Sequence, residues 1–259
     1  MYKIWKFCHK GMDSSRKTIP LLFLLIFVFL STAGISQELS AEDAALTVRI
    51  RETILDDSRL PIDGISIFVI NGAIRLKGVV ETLAQKRWIN ELIYGLPKVR
   101  VVDNRLSVLA PNVNDDALSQ IVKSQLLNAQ NELLDYSHVD VDTEDGNISL
   151  KGEVNSLGAK FHAEDITAVT KGVRSMKNKL RVRDTQNNQD VKIEKAVRDA
   201  LRERISMNRN YKVEVSVIHG TVTLKGRLSA ERDRAISIRT ALFTPGVAEI
   251  IDKIEVLPR

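Results

Sequence analysis

One ten-residue phrase occurs three times and constrains this chain more than anything else in it. The copies are Asn71-Gly-Ala-Ile-Arg-Leu-Lys-Gly-Val-Val80, Asp145-Gly-Asn-Ile-Ser-Leu-Lys-Gly-Glu-Val154 and His219-Gly-Thr-Val-Thr-Leu-Lys-Gly-Arg-Leu228. Gly72, Gly146 and Gly220 keep an interval of 74 residues, and so do Gly78, Gly152 and Gly226. A period kept twice without drift marks a repeat protein, so the fold question reduces to one unit.

The phrase reads as a hairpin turn and its return strand. Asn-Gly and Asp-Gly favour the tight turn in which both central residues take positive φ, and His219-Gly220 is a weaker version of it. Beyond the turn, Ile74, Leu76, Gly78 and Val80 share one strand face, and Arg75, Lys77 and Val79 share the other. The second glycine thus lies on the apolar face. Its missing side chain marks either a close backbone approach or a bend. A phosphate loop needs a glycine run entering a helix with a Lys-Ser/Thr pair, and none follows here.

The flanking residues predict the same element order in each unit. In the first unit Leu46, Ile50 and Ile54 give a helix over 41–55, followed by strands over 65–70 and 73–80. A second helix over about 82–94 carries Ala84, Trp88 and Leu92 at helical spacing. Gly95-Leu-Pro97 stops it before a strand over about 99–109. The second unit repeats this with Leu118, Val122, Leu126 and Ala129 in its first helix, Val139 and Val141 in its first strand, and Met176, Leu180 and Val182 in its last. The third uses Ile193, Ala196, Val197, Ala200 and Leu201, then Val213, Val215 and Val217, then Ile250, Ile254 and Val256. The unit-one first helix is displaced by about two residues against the period, which reads as a shorter connection to the strand.

A unit of this size is near the lower limit for independent folding. Two helices on one face of a three-stranded sheet are the expected solution. The hairpin makes one strand pair antiparallel, and a right-handed helical crossover makes the other parallel. The fold class is α+β: three tandem αββαβ modules, each a mixed sheet with two helices on one face. The boundaries read 37–111, 112–184 and 185–259, the last opening on the polar stretch Thr185-Gln-Asn-Asn-Gln189.

Residues 1–36 stand apart. Five basic groups (Lys3, Lys6, Lys10, Arg16, Lys17) precede an apolar run from Ile19 to Leu30, and small and polar residues lead to Ser36. This is the layout of a secretory signal peptide over 1–36, cut after Ser36. The alternative is an uncleaved inner-membrane anchor over residues 19–35, at the short edge for a span. Much of the formal charge of +5 belongs to this segment, so the net charge is no argument for a nucleic-acid partner. The one cysteine, Cys8, precedes the apolar run. A lipidated cysteine would follow it, and the mature chain has no thiol for a disulfide, nucleophile or metal.

The residues carry a resemblance. A glycine turn and strand ending in Leu-Lys-Gly, then a helix, then Gly246-Val-Ala-Glu-Ile-Ile-Asp-Lys-Ile-Glu-Val256 or Gly172-Val-Arg-Ser-Met-Lys-Asn-Lys-Leu-Arg-Val182, is similar to the BON (bacterial OsmY and nodulation) domain. Unit one departs by having Lys98 where the others have glycine. The resemblance covers nearly all of residues 41–258. It implies αββαβ modules in exported, periplasmic bacterial proteins. It also implies association with phospholipid surfaces, a part in envelope integrity or osmotic stress response, and no catalysis.

The search for chemistry points the same way. His138, His162 and His219 have no metal-pair spacing. Asp140-x-Asp142-x-Glu144 lacks the glycine and glutamate of a calcium loop and reads as the wet face of a strand. No nucleophile elbow is present, and Ser156 and Ser229 read as helix starts. No catalytic residue, metal, cofactor or small-molecule substrate is expected. Unit three carries 14 basic and 10 acidic groups, against 10 and 10 in unit one and 9 and 12 in unit two. Its first helix sets Lys195, Arg198 and Arg202 opposite an apolar stripe, a face suited to an anionic phospholipid surface. The alternative is a solvated face with i,i+4 pairs from Glu194 to Arg198 and from Lys195 to Asp199. Another envelope protein or a cell-wall polymer is the alternative partner. The repeat glycines Gly72, Gly78, Gly146, Gly152, Gly220 and Gly226 are expected to be structural. Lys77, Lys151 and Lys225 occur in all three units, so they do not read as what distinguishes the third.

Overall fold

The structure is a computed structural model that describes residues 40–109, 113–183, 189–205 and 212–257. The expected signal segment 1–36 and residues 185–188 of the polar linker lie outside the described residues. Each module has the order helix, strand, strand, helix, strand. Module one comprises α1 (Ala41–Leu55), β1 (Ile65–Ile70), β2 (Ala73–Val80), α2 (Leu83–Tyr94) and β3 (Val101–Val108). Module two comprises α3 (Asp115–Asn128), β4 (Val139–Glu144), β5 (Asn147–Val154), α4 (Leu157–Val169), and a last strand in two pieces, β6 (Ser175–Asn178) and β7 (Arg181–Val182). Module three comprises α5 (Gln189–Arg204), β8 (Lys212–Ile218), β9 (Thr221–Leu228), α6 (Glu231–Leu242) and β10 (Glu249–Val256). By compactness the chain divides into two units: residues 107–259 with Val79–Arg87, and the remainder of module one.

The sheets are mixed. The hairpin strands pair antiparallel, as in Val213↔Gly226 and Val139↔Gly152. The last strand pairs parallel to the central one, as in Ile250↔Val222 and Ile148↔Met176. The central strand lies between the other two in every module. Ile74, Leu76 and Val80 are buried while Lys77 and Val79 are exposed, so the alternation of the phrase does select the core face. In α5 the buried stripe is Ile193, Val197 and Leu201, continued by Ile205; Ala196 is exposed and Ala200 half-buried. The apolar face is therefore one strict i,i+4 row, narrower than the sequence reading.

Two expectations are corrected. On α2 the buried residues are Leu83, Ala84, Ile89 and Ile93, not the row through Trp88 and Leu92. Packing turns the helix by one residue, and half-buried Trp88 lies under the Arg59 guanidinium at 4.5 Å. Ser156 does cap α4, accepting from Ala159 N at 3.1 Å. In module three, however, the capping position belongs to Ala230, not Ser229, and has no side-chain cap.

Modules two and three, which belong to one compact unit, dock through their backbones. Leu157 N donates to Val247 O at 2.9 Å, and Gly246 N donates to Asn155 O at 2.8 Å. Gly158 allows the approach: a Cβ there would stand 2.6 Å from Phe243 Cδ1 and 2.8 Å from the Leu242 carbonyl oxygen.

Candidate functional site

The thrice-repeated turn is built the same way each time. Asn71, Asp145 and His219 take positive φ of about 50°, followed by Gly72, Gly146 and Gly220 at 73°. This conformation points two successive N–H groups to one side, a small anion-binding concavity. In each module a carboxylate from the first helix fills it. Asp43 accepts from Asn71 N at 2.8 Å and Gly72 N at 3.1 Å. Asp115 accepts from Asp145 N at 2.7 Å and Gly146 N at 3.0 Å. Asp190 accepts from His219 N at 2.8 Å and Gly220 N at 3.0 Å. Burial pushes the Asp43 carboxyl up, but the N–H bonds from Asn71 and Gly72, with the Ser40 hydroxyl, outweigh it and leave it below the usual carboxylate range. The Gly220 and His219 N–H groups likewise hold Asp190 low.

The sequence reading missed this clamp. The signal is an acid in the first turn of each module's first helix. Its spacing to the turn glycine is 29, 31 and 30 residues, so a fixed 74-residue register does not align it. The clamp occupies the concavity, which makes the turn a joint between helix and hairpin rather than an open ligand loop.

The glycines are close-approach positions. A Cβ at Gly78, Gly152 or Gly226 would lie 2.2, 2.0 or 1.9 Å from the carbonyl oxygen of Gly64, His138 or Lys212. A Cβ at Gly72, Gly146 or Gly220 would lie 2.5, 2.9 or 3.0 Å from the carbonyl oxygen of Lys98, Gly172 or Gly246. Gly172 and Gly246 have φ of 100° and 86°, and Lys98 adopts the same unusual half of the map at 68°. The departure of module one from the pattern is a residue held in a conformation that suits glycine.

The three helical cations are exposed, and each lies beside an acid of its own helix. Lys195 Nζ is 3.0 Å from Asp199, Arg202 is 3.7 Å from Asp199, and Arg198 pairs with Glu194. Lys195 foremost holds the Asp199 carboxyl below its usual range. The structure places the three on one helix but gives each an intrahelical partner.

No three His, Cys, Asp or Glu side chains converge as a metal site among the described residues. His162 stacks on Tyr136 with ring centroids 6.3 Å apart, and its Nδ1 is 2.9 Å from the buried Tyr136 hydroxyl. Burial pushes the Tyr136 hydroxyl far above its usual range and His162 below its own. His138 Nδ1 lies 2.8 Å from Ser137 Oγ, beside Asp135. The grouping has the wrong order for a catalytic triad. The Ser137 hydroxyl donates to Asp135 at 2.6 Å, and Arg183 approaches His138 Nδ1 at 3.0 Å, so the serine proton points to the aspartate rather than to the imidazole. Asp140 and Asp142 lie on the wet side of edge strand β4, where Asp142 pairs with Lys151. They border an open, polar groove of about 910 Å³ with Asp116, Ser119 and Lys123 of α3.

The fold and its repeated joint define a tandem array of αββαβ modules. The chain belongs to the BON domain family, which matches residues 42–110, 114–184 and 189–258. It is similar to the osmotically-inducible protein Y of Escherichia coli (strain K12), with 28% identity over 149 residues that span 55% of this chain and 73% of that protein. Among solved structures, CdsD, a structural protein of the type III secretion system of Chlamydia trachomatis, is 18% identical. It covers 83% of this chain and 93% of its own at a TM-score of 0.24. A structure of the CdsD C-terminal domain is 17% identical, covers 82% and 98%, and gives a TM-score of 0.23.

Proposed function

We propose that this chain is an exported, non-enzymatic BON-repeat protein that acts at anionic phospholipid surfaces and supports the cell envelope under osmotic stress. The observation that carries this reading is the uneven charge. Residues 185–259 net +4, residues 37–111 net zero and residues 112–184 net −3. One module thus carries the attraction to anionic headgroups, each cation near the surface contributing roughly 1 kcal/mol. The similarity to a protein named for its osmotic induction supports the stress role. The test is co-sedimentation of residues 37–259 with phosphatidylglycerol-containing vesicles at low and moderate salt. Binding that weakens with salt is expected, and absence of binding at low salt overturns the reading. Cell fractionation with N-terminal sequencing tests export. A soluble protein starting at Gln37 is expected, and a membrane-bound chain retaining residues 19–35 replaces it with the anchored alternative.

A second reading is a scaffold for another envelope protein or a cell-wall polymer. It is favoured by the docking of modules two and three, in which one module of this fold meets another through backbone hydrogen bonds. A pull-down from solubilised envelopes tests it, and absence of a saturable partner counts against it.

A further inference from the structure

We infer that the membrane-contacting face of module three is the open face of its sheet, centred on Lys225 and Lys253, and not the basic face of α5. The inference rests on the phospholipid reading above. Lys225 on β9 and Lys253 on β10 are direct register partners in parallel strands, so both side chains project from the same face. Both are exposed. Like charges set directly opposite each other destabilise a sheet. Among the described residues neither lysine makes an ion pair. Glu214, opposite Lys225 on β8, is taken by Lys212 at 3.2 Å, and Glu255 by Arg227 at 3.4 Å. The corresponding lysine of module two, Lys151, is instead paired with Asp142, whose place 74 residues on is filled by Ser216.

The same face carries bare aliphatic side chains. Ile218 is 68% exposed, Ile251 40% and Leu257 44%. Ile251 precedes Lys253 by two positions on β10 and so shares its face; Leu257 follows on the same alternation. Two unpaired lysines beside exposed isoleucines match the boundary of a bilayer, where ammonium groups meet phosphates and aliphatic groups settle among the acyl chain ends. The α5 face also bares an aliphatic side chain, Val191, but its cations Lys195, Arg198 and Arg202 are paired with Glu194 and Asp199, so a headgroup there must compete with intrahelical partners. The occupant that fits the sheet face is an anionic phospholipid surface.

The test compares two variants that remove the same charge. Lys225→Gln/Lys253→Gln strips the sheet pair, and Lys195→Gln/Arg202→Gln strips two helical cations. Each is measured as residues 37–259 against vesicles of equal parts phosphatidylcholine and phosphatidylglycerol, with phosphatidylcholine vesicles as control. Urea midpoints and far-UV circular dichroism confirm the fold. The sheet variant should bind about thirtyfold more weakly, as expected for two cations at the surface, and the helix variant less than about threefold more weakly. Ile218→Ser/Ile251→Ser should weaken binding while leaving its salt dependence unchanged. Equal losses in the two charge variants, or a larger loss in the helix variant, overturn the assignment to the sheet. Absence of wild-type binding to the anionic vesicles overturns the phospholipid reading itself.

Discussion

Asp190 grips Gly220 across 30 residues, its Oδ1 accepting from the glycine N–H at 3.0 Å while Oδ2 accepts from His219 N at 2.8 Å. Asp43 and Asp115 make the same grip in their own modules. Each bond joins an ionised acceptor to a backbone donor, the stronger kind of protein hydrogen bond.

Asp43 is the most informative of the three to remove, because it is buried and its loss leaves two turn N–H groups without an acceptor. Asp43→Ala should destabilise module one by about 1–3 kcal/mol. It should also abolish hydrogen-exchange protection at the Asn71 and Gly72 amides. Because the folded carboxyl titrates below its usual range, the unfolded chain takes the proton first on acidification. The contribution is therefore full above about pH 4 and is lost as pH falls through the folded value. Urea midpoints across that window should slope less in Asp43→Ala than in wild type.

Lys98 sits where Gly172 and Gly246 stand in the other modules, at φ 68°. A left-handed conformation costs a non-glycine residue about 1–2 kcal/mol, partly offset by the freedom glycine gains when unfolded. Lys98→Gly should stabilise module one by about 0.5–1 kcal/mol in urea unfolding. The exposed Lys98–Glu42 pair lost with it contributes little. The reverse change, Gly172→Lys, should destabilise module two.

Gly158 packs against Leu242 and Phe243 where modules two and three dock. Gly158→Ala would force its methyl group against Phe243 and the Leu242 carbonyl, an overpacking cost of about 1–3 kcal/mol. Exchange protection at Leu157 N and Gly246 N, which bond across the junction, should fall. Phe243→Ala in the same chain should restore only part of it, because the carbonyl remains.

His162 gives a second pH window. Its pKa is lowered first by burial, with Asp165 opposing in part. The unfolded histidine therefore binds its proton first as pH drops below about 6.5, and stability falls from there toward the folded value. His162→Gln keeps a hydrogen-bonding group beside the Tyr136 hydroxyl and removes the titration. The wild-type loss of urea midpoint between about pH 7 and pH 5 should shrink in this variant; an unchanged slope excludes His162 as its source.

Much of the architecture was legible in the chain because it rests on local rules. The turn residues, the alternation of Ile74, Leu76 and Val80 and the row Leu46, Ile50, Ile54 each fix a local conformation and a buried face. The burial pattern departs from the sequence periodicity where packing chooses between neighbours. Trp88 and Ile89 both carry large apolar surface, and the core takes Ile89 while Trp88 lies under Arg59. The candidate site was less legible. Glu194–Arg198 and Lys195–Asp199 were visible as i,i+4 pairs, but the acid that pairs with Lys151, Asp142, comes from a neighbouring strand.

By itself the sequence determined three copies of one module, its element order and the hairpin at Gly72, Gly146 and Gly220. Each of those depends on residues near one another along the chain. Only the tertiary structure showed that an aspartate about 30 residues upstream clasps each turn, and that Gly158 receives Phe243. It also separated Lys225 from its counterpart. Both belong to the same repeated phrase, yet Lys151 pairs with Asp142, whereas the acid across the strand from Lys225, Glu214, is held by Lys212 and a second lysine, Lys253, stands beside it. Charge complementarity depends on distance in space, and strand register sets that distance.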